Sequence, residues 1–109
     1  MARYVLIESR DPLEASEVAG YYYDLAAGLA KEGNEVTLFL VQNGVMPARF
    51  GARADKLAAV VKAGVKVLAD EFSLRERAIP RDRLAQGVAA SPLDFVVDQM
   101  AAGSKVIWH

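Results

Sequence analysis

Five short apolar runs alternate along the chain with stretches in which apolar residues return every three or four positions. Tyr4–Ile7, within RYVLIES, is the first run; it ends in polar residues just before Asp11-Pro12, a turn and helix-start signal, and reads as a strand. From Leu13 to Lys31, Val18, Tyr22, Leu25 and Leu29 recur at helical spacing, and Gly33-Asn34 closes this long amphipathic helix. Glu35–Val41, EVTLFLV, is β-branched, aromatic and almost wholly apolar, the pattern of a strand covered on both faces. It stops at Gln42-Asn43-Gly44. Ala54–Ala63 reads as a second helix with Leu57, Val60 and Val61 inward, and Gly64 stands where a left-handed C-terminal cap belongs. Val65–Ala69 follows as the third strand and Asp70–Arg77 as a short helical turn, which Ile79-Pro80 interrupts before Arg81–Ala85. Gly87–Ala90 is a weak fourth strand. Ser91-Pro92-Leu93-Asp94 offers a capping serine, a proline at the first helical position and an acid at the third, predicting a helix through Ala102; Gly103 ends it, and Lys105–Trp108 is the fifth strand.

This order, with short connections, predicts an α/β fold: a three-layer α/β/α sandwich around a five-stranded parallel sheet, in one domain spanning residues 1–109. There is no internal repeat, low-complexity tract or linker. Ligands of such sheets bind outside the carboxyl ends of the strands. Those ends are Glu8-Ser9, Gln42-Asn43, Asp70-Glu71, Ala90-Ser91 and Trp108-His109.

Composition narrows the function. A hydrophobic share of 53% is high for a chain this small and points to a doubly covered sheet or to self-association. With 13 basic and 14 acidic residues the chain has no global field for nucleic acid or an anionic membrane, so neither is expected as a partner. Cysteine is absent, which removes disulfides, thiolate metal sites and thiol nucleophiles. The first residues carry too short an apolar run for a signal peptide and no segment reaches the ~20 apolar residues of a membrane span, so a cytoplasmic location is expected.

Candidate chemistry gathers at the strand ends. QNGVMP, residues 42–47, is a tight turn with positive φ at its Asn-Gly pair, or a place where Gln42 and Asn43 present amides to a small polar ligand. No glycine-rich phosphate loop follows the first or second strand, and SRDPLEA is a poor flavin loop, so no cofactor is expected. Tyr21, Tyr22 and Tyr23 stand about 100° apart on their helix, so at least one is exposed; Tyr22 reads as core, with Tyr21 or Tyr23 a candidate subunit contact. Arg75, Arg77, Arg81 and Arg83 fall within nine residues, but Glu71, Glu76 and Asp82 interleave with them as on a self-compensating solvated face. His109, the sole histidine and the last residue, lacks the flanking structure that would hold a general base, and neither a Ser-His-Asp arrangement nor a metal cluster is expected. Asp70 is the N-cap of the short helix, bonded to the amide of residue 72 or 73, or with Glu71 a pair of carboxylates for acid–base work; nothing nearby resembles a catalytic partner, and the cap is favoured. Ser9, Gln42, Asn43, Asp70 and Glu71, with Arg75 as counter-charge, make the expected ligand cleft.

LAKEGNEVTLFLVQNGV, KAGVKVLADEFSLRERAI and SPLDFVVDQMAAGSKVIWH, in that order and spacing, resemble the DsrE/DsrF-like family of small α/β proteins along essentially the whole chain. The resemblance implies a DsrE-like fold and assembly into trimers or hexamers, either homomeric or with paralogous subunits. For members that do chemistry it implies sulfur relay, in which a cysteine at the end of the third strand accepts and passes on sulfane sulfur. Asp70 occupies that position here. A carboxylate oxygen cannot carry sulfane sulfur, and with no cysteine elsewhere covalent relay by this chain alone is excluded. Three readings follow: a non-catalytic binding protein or partner of sulfur-transfer proteins, a structural subunit whose paralogue supplies the cysteine, and a small enzyme using Asp70 and Glu71.

Overall fold

The computed structural model describes residues 1–109. Five strands, β1 (Arg3–Glu8), β2 (Glu35–Leu40), β3 (Lys66–Asp70), β4 (Val88–Ser91) and β5 (Lys105–Trp108), form one sheet in the order β4-β3-β2-β1-β5, with every pair parallel. Strand side chains alternate between two apolar faces. Leu6, Leu38, Leu40 and Val67 face one layer, built by α1 (Tyr23–Lys31) and α2 (Asp55–Lys62). Val5, Ile7, Phe39 and Leu68 face the other, where Val96 of α4 (Asp94–Ala101) closes the core. The chain steps from β1 to β4 in one direction and then crosses back to β5 beside β1; right-handed crossovers require the returning helix, α4, to lie on the opposite face from α1 and α2.

The three-layer α/β expectation therefore holds, and local departures from the pattern have identifiable causes. The first helix is not regular: Pro12–Glu14 form a turn, and a π turn at Val18–Tyr22 precedes α1. The wider turn brings successive side chains closer in angle, so Tyr22 and Tyr23 both face the core. Tyr23, 1% exposed, is therefore withdrawn as a subunit contact, whereas Tyr21, 64% exposed, stays available. Residues 42–48 form a 3-10 segment rather than a tight turn, and the positive φ falls on Gln42 (51°), not on the Asn-Gly pair. Ser91 does not cap α4: it remains in β4 opposite Asp70, its hydroxyl donates to the Pro92 carbonyl, and α4 starts after Leu93. Arg81–Ala85 is irregular, tied through Leu84 to Arg49. Gly64 takes φ +96° immediately after α2, the left-handed closure its position implies.

Candidate functional site

At the end of β3, Asp70 is the N-cap of α3 (Glu71–Glu76). Its Oδ2 accepts the Ser73 amide at 3.0 Å and the Ser73 hydroxyl at 2.7 Å. Ser73 Oγ in turn accepts the Gln42 amide at 2.8 Å, so a buried relay of three groups clamps the end of β2 to the start of α3. Asn43 Oδ1 accepts from Arg77 Nε and Nη2 at 3.1 and 3.0 Å. The counter-charges are not those expected. Arg81 pairs with Glu71 at 3.0 Å, while Arg75 lies over the Phe72 ring in no ion pair. Gln42, Asn43 and Asp70 do come together, but through Ser73 and Arg77, which the sequence pattern did not single out as part of the cleft. Their polar atoms knit loops to each other.

Ser9 belongs elsewhere. Its amide and hydroxyl donate to the His109 carbonyl at 3.0 and 2.8 Å, on the β5 side of β1. Chain order runs outward from β1 in both directions, so the topological switch point of the sheet lies between β1 and β5, the usual ligand crevice of open α/β sheets. There Glu8, fully buried, receives His109 Nδ1 at 2.7 Å and the Arg10 amide at 2.9 Å. The His109 ring stacks on Tyr22, whose hydroxyl donates to the Ile107 carbonyl at 3.0 Å. His109 is thus firmly held, contrary to expectation: parallel pairing of β5 with β1 carries it to Glu8, and the Ile7 carbonyl accepts its amide. The signal in the sequence was a glutamate ending an apolar strand and a histidine doing the same a hundred residues later; the strand order that joins them was not readable.

Burial pushes the Glu8 carboxyl above its ordinary value of 4.5, while the Arg10 amide and the His109 ring draw it part of the way back. The folded protein therefore binds this proton more tightly than the unfolded chain. The stabilisation is complete below 4.5 and is lost as pH rises through the folded value. Unfolding titrations from about pH 4 to about pH 7 should show the advantage of wild type over Glu8→Gln shrinking as pH rises. A pH-independent difference between the two proteins would remove Glu8 as the titrating group.

On the α1–α2 side, beside the carboxyl ends of β1 and β2, lies a cavity of about 530 Å³. Its wall runs from Asp11–Leu13 through Ala19 and Tyr23 to Met46, Pro47 and Arg49, and then along Ala52–Leu57 into α2. None of the six expected cleft residues lines it. The volume lies within the range of small-molecule sites. A second, shallower groove of about 470 Å³ opens next to it between Arg49, Phe50, Arg77 and Arg83 and contains no carboxylate. The cavity is formed where the connections after β1 and β2 close over the starts of α1 and α2, a convergence that leaves no local pattern in the sequence. No group of three His, Asp or Glu side chains converges on a point that would hold a metal ion. No helix is long and apolar enough to cross a membrane.

No protein-family model matches the chain, and no curated protein matches it. Solved structures do. The ychN protein from E. coli superposes with a TM-score of 0.85 at 19% identity, covering 100% of both chains. MTH1491 from Methanobacterium thermoautotrophicum, a protein of unknown function, gives 0.79 at 21% identity with 100% of both chains covered. BT1422 from Bacteroides thetaiotaomicron, a conserved protein of unknown function, gives 0.77 at 10% identity over 98% of this chain and 94% of that one. Sharing so few residues yet superposing end to end, these proteins and the present chain have one fold in common, a small α/β domain on a five-stranded parallel sheet.

Proposed function

We propose that the chain is a non-catalytic DsrE-like protein that binds a small ligand and works as an oligomer in the setting of intracellular sulfur transfer. The observation that carries the ligand-binding reading is the cavity of about 530 Å³ beside the carboxyl ends of β1 and β2, whose volume is that of a small-molecule site although it lies away from the β1–β5 switch point. Support for a non-catalytic role comes from Asp70. At the position of the relay cysteine implied by the family resemblance, its carboxylate is engaged by the Ser73 amide and hydroxyl. An acid–base role for Asp70 and Glu71 finds no support, because Glu71 is paired with Arg81.

The second reading, a structural subunit beside a cysteine-bearing paralogue, is favoured by an exposed apolar stripe. Leu93, at the cap of α4, is exposed together with Val97 and Met100 on that helix, and Trp108 is exposed on β5. Native mass spectrometry of the protein from its own cells separates the two. Homo-oligomers carrying an extra small mass support the binding protein; a mixed assembly with a cysteine-bearing chain replaces it with the structural subunit. Val97→Asp should shift the protein to monomer in sedimentation velocity while leaving its circular dichroism intact, since the side chain is already in water in the single chain. An unchanged sedimentation coefficient would place the subunit contact elsewhere, with Tyr21 next to be tested.

A further inference from the structure

The start of α2 is electrically open. Ala54, its N-cap, makes no side-chain capping bond, and the first amide to close the helix is that of Ala58, donating to the Ala54 carbonyl at 3.0 Å. The amides of Asp55, Lys56 and Leu57 therefore have no protein acceptor, and all three residues line the cavity. Tyr23 lines the same cavity. Its hydroxyl is the one buried side-chain polar atom in the protein without a hydrogen-bond partner, in a residue only 1% exposed. Burial, with the nearby charges of Glu8 and Asp11, holds this phenol above the usual tyrosine range, so the hydroxyl keeps its proton and remains a donor. An unmet buried hydroxyl is costly, and because its residue lines the cavity an acceptor that enters there and reaches it relieves that cost.

Charge specifies the acceptor. Arg49, Arg53 and Lys56 line the cavity and take part in no ion pair, against two carboxylates, Asp11 and Asp55. Asp11 is partly committed, since its Oδ1 accepts the Leu13 amide at 3.0 Å. The surplus is one positive charge, and Arg49 extends it into the neighbouring groove with Arg77 and Arg83. Half of the lining residues are hydrophobic, Leu13, Ala19 and Met46 among them, and Pro12 and Pro47 add further apolar surface.

We propose that this cavity is a binding site for a small organic acid: an apolar ring or chain bearing a single carboxylate. The carboxylate accepts from the open amides of α2 and from the Tyr23 hydroxyl, Arg53 and Lys56 supply the compensating charge, and the apolar body lies on Leu13, Met46 and Pro47. This deepens the ligand-binding reading given above and rests on it. A dianion is disfavoured because Asp11 and Asp55 stand in the same wall.

The test uses naphthalene-2-carboxylate and its uncharged counterpart naphthalene-2-carboxamide, titrated into the isotopically labelled full chain by NMR. The acid should shift the amide signals of Asp55, Lys56 and Leu57 and bind about tenfold or more tightly than the amide. Tyr23→Phe should weaken the acid by about tenfold without lowering the melting temperature, because the native hydroxyl has no bond to lose. Arg53→Gln, a change in the cavity wall, should weaken the acid alone. Equal affinities for the two probes would overturn the acid site while leaving a cavity that binds ligands. Shifts confined to α4, or no shifts, would overturn it as well. Failure of the broader reading shows separately, as native assemblies that carry no extra mass of any charge.

Discussion

Gly44→Ala should lower the unfolding free energy by about 3 kcal/mol, which for a chain of this size is a drop of roughly 15 °C in the melting midpoint. A Cβ at residue 44 would collide with the carbonyl oxygen of Glu8, a backbone atom that cannot swing aside. That carbonyl already accepts the Val41 amide at 2.9 Å, and the Gly44 amide donates to the Val41 carbonyl at 2.8 Å. Moving either chain to admit a methyl group therefore breaks the junction at which β1 and β2 end and the cavity begins. Gly28→Ala is the matched control. Gly28 lies in α1 with nothing within 4 Å of the added atom, so the same substitution there should stabilise by about 0.5 to 1 kcal/mol. Chemical denaturation of the two variants at one protein concentration is the measurement. A Gly44→Ala midpoint equal to wild type would mean that the β1–β2 junction is softer than its hydrogen bonds imply.

Asp70→Ala should cost about 2 to 3 kcal/mol, more than an exposed helix cap, because three buried groups lose their arrangement together. The Ser73 amide and hydroxyl both lose their acceptor, and the hydroxyl that holds the Gln42 amide is no longer oriented. Asp70→Asn keeps one acceptor oxygen and should recover about half of the loss. Binding of the naphthoate probe should survive in both variants, since Asp70 does not line the cavity. A variant that kept full stability but lost ligand would return Asp70 to the binding site and overturn its assignment as a cap. Gln42 gives the experiment a local readout. With φ at +51° and no glycine's freedom, it is held in place by this relay and should be the first residue to lose amide protection.

Most of the architecture could be read from periodicity. Strand cores such as Leu38–Leu40 and Val67–Ala69 are apolar on both faces, the pattern expected of strands in a sheet covered on both sides. Two kinds of feature escaped. The first comprises backbone irregularities set by tertiary contact, such as the π turn that turns both Tyr22 and Tyr23 inward, where the 3.6-residue period admitted only Tyr22. The second depends on which strands are neighbours. Asp70 was recognisable because its partner lies three residues away. Glu8 and His109 are joined only once β5 is known to pair with β1, and Tyr23 meets the start of α2 only once the loops after β1 and β2 have closed.

The placement of β5 also has a consequence during synthesis. β1 is the first strand made, and one of its two neighbours is the last of the five. Until that neighbour emerges, β1 offers an open hydrogen-bonding edge flanked by Val5, Leu6 and Ile7, which are buried in the finished protein. A nascent chain interrupted after β4 would hold four assembled strands and an adhesive apolar border, the template for adding a strand from another chain. Ribosome-bound intermediates of that length are where chaperone capture or aggregation should concentrate, and the arrival of Lys105–Trp108 is what ends the hazard.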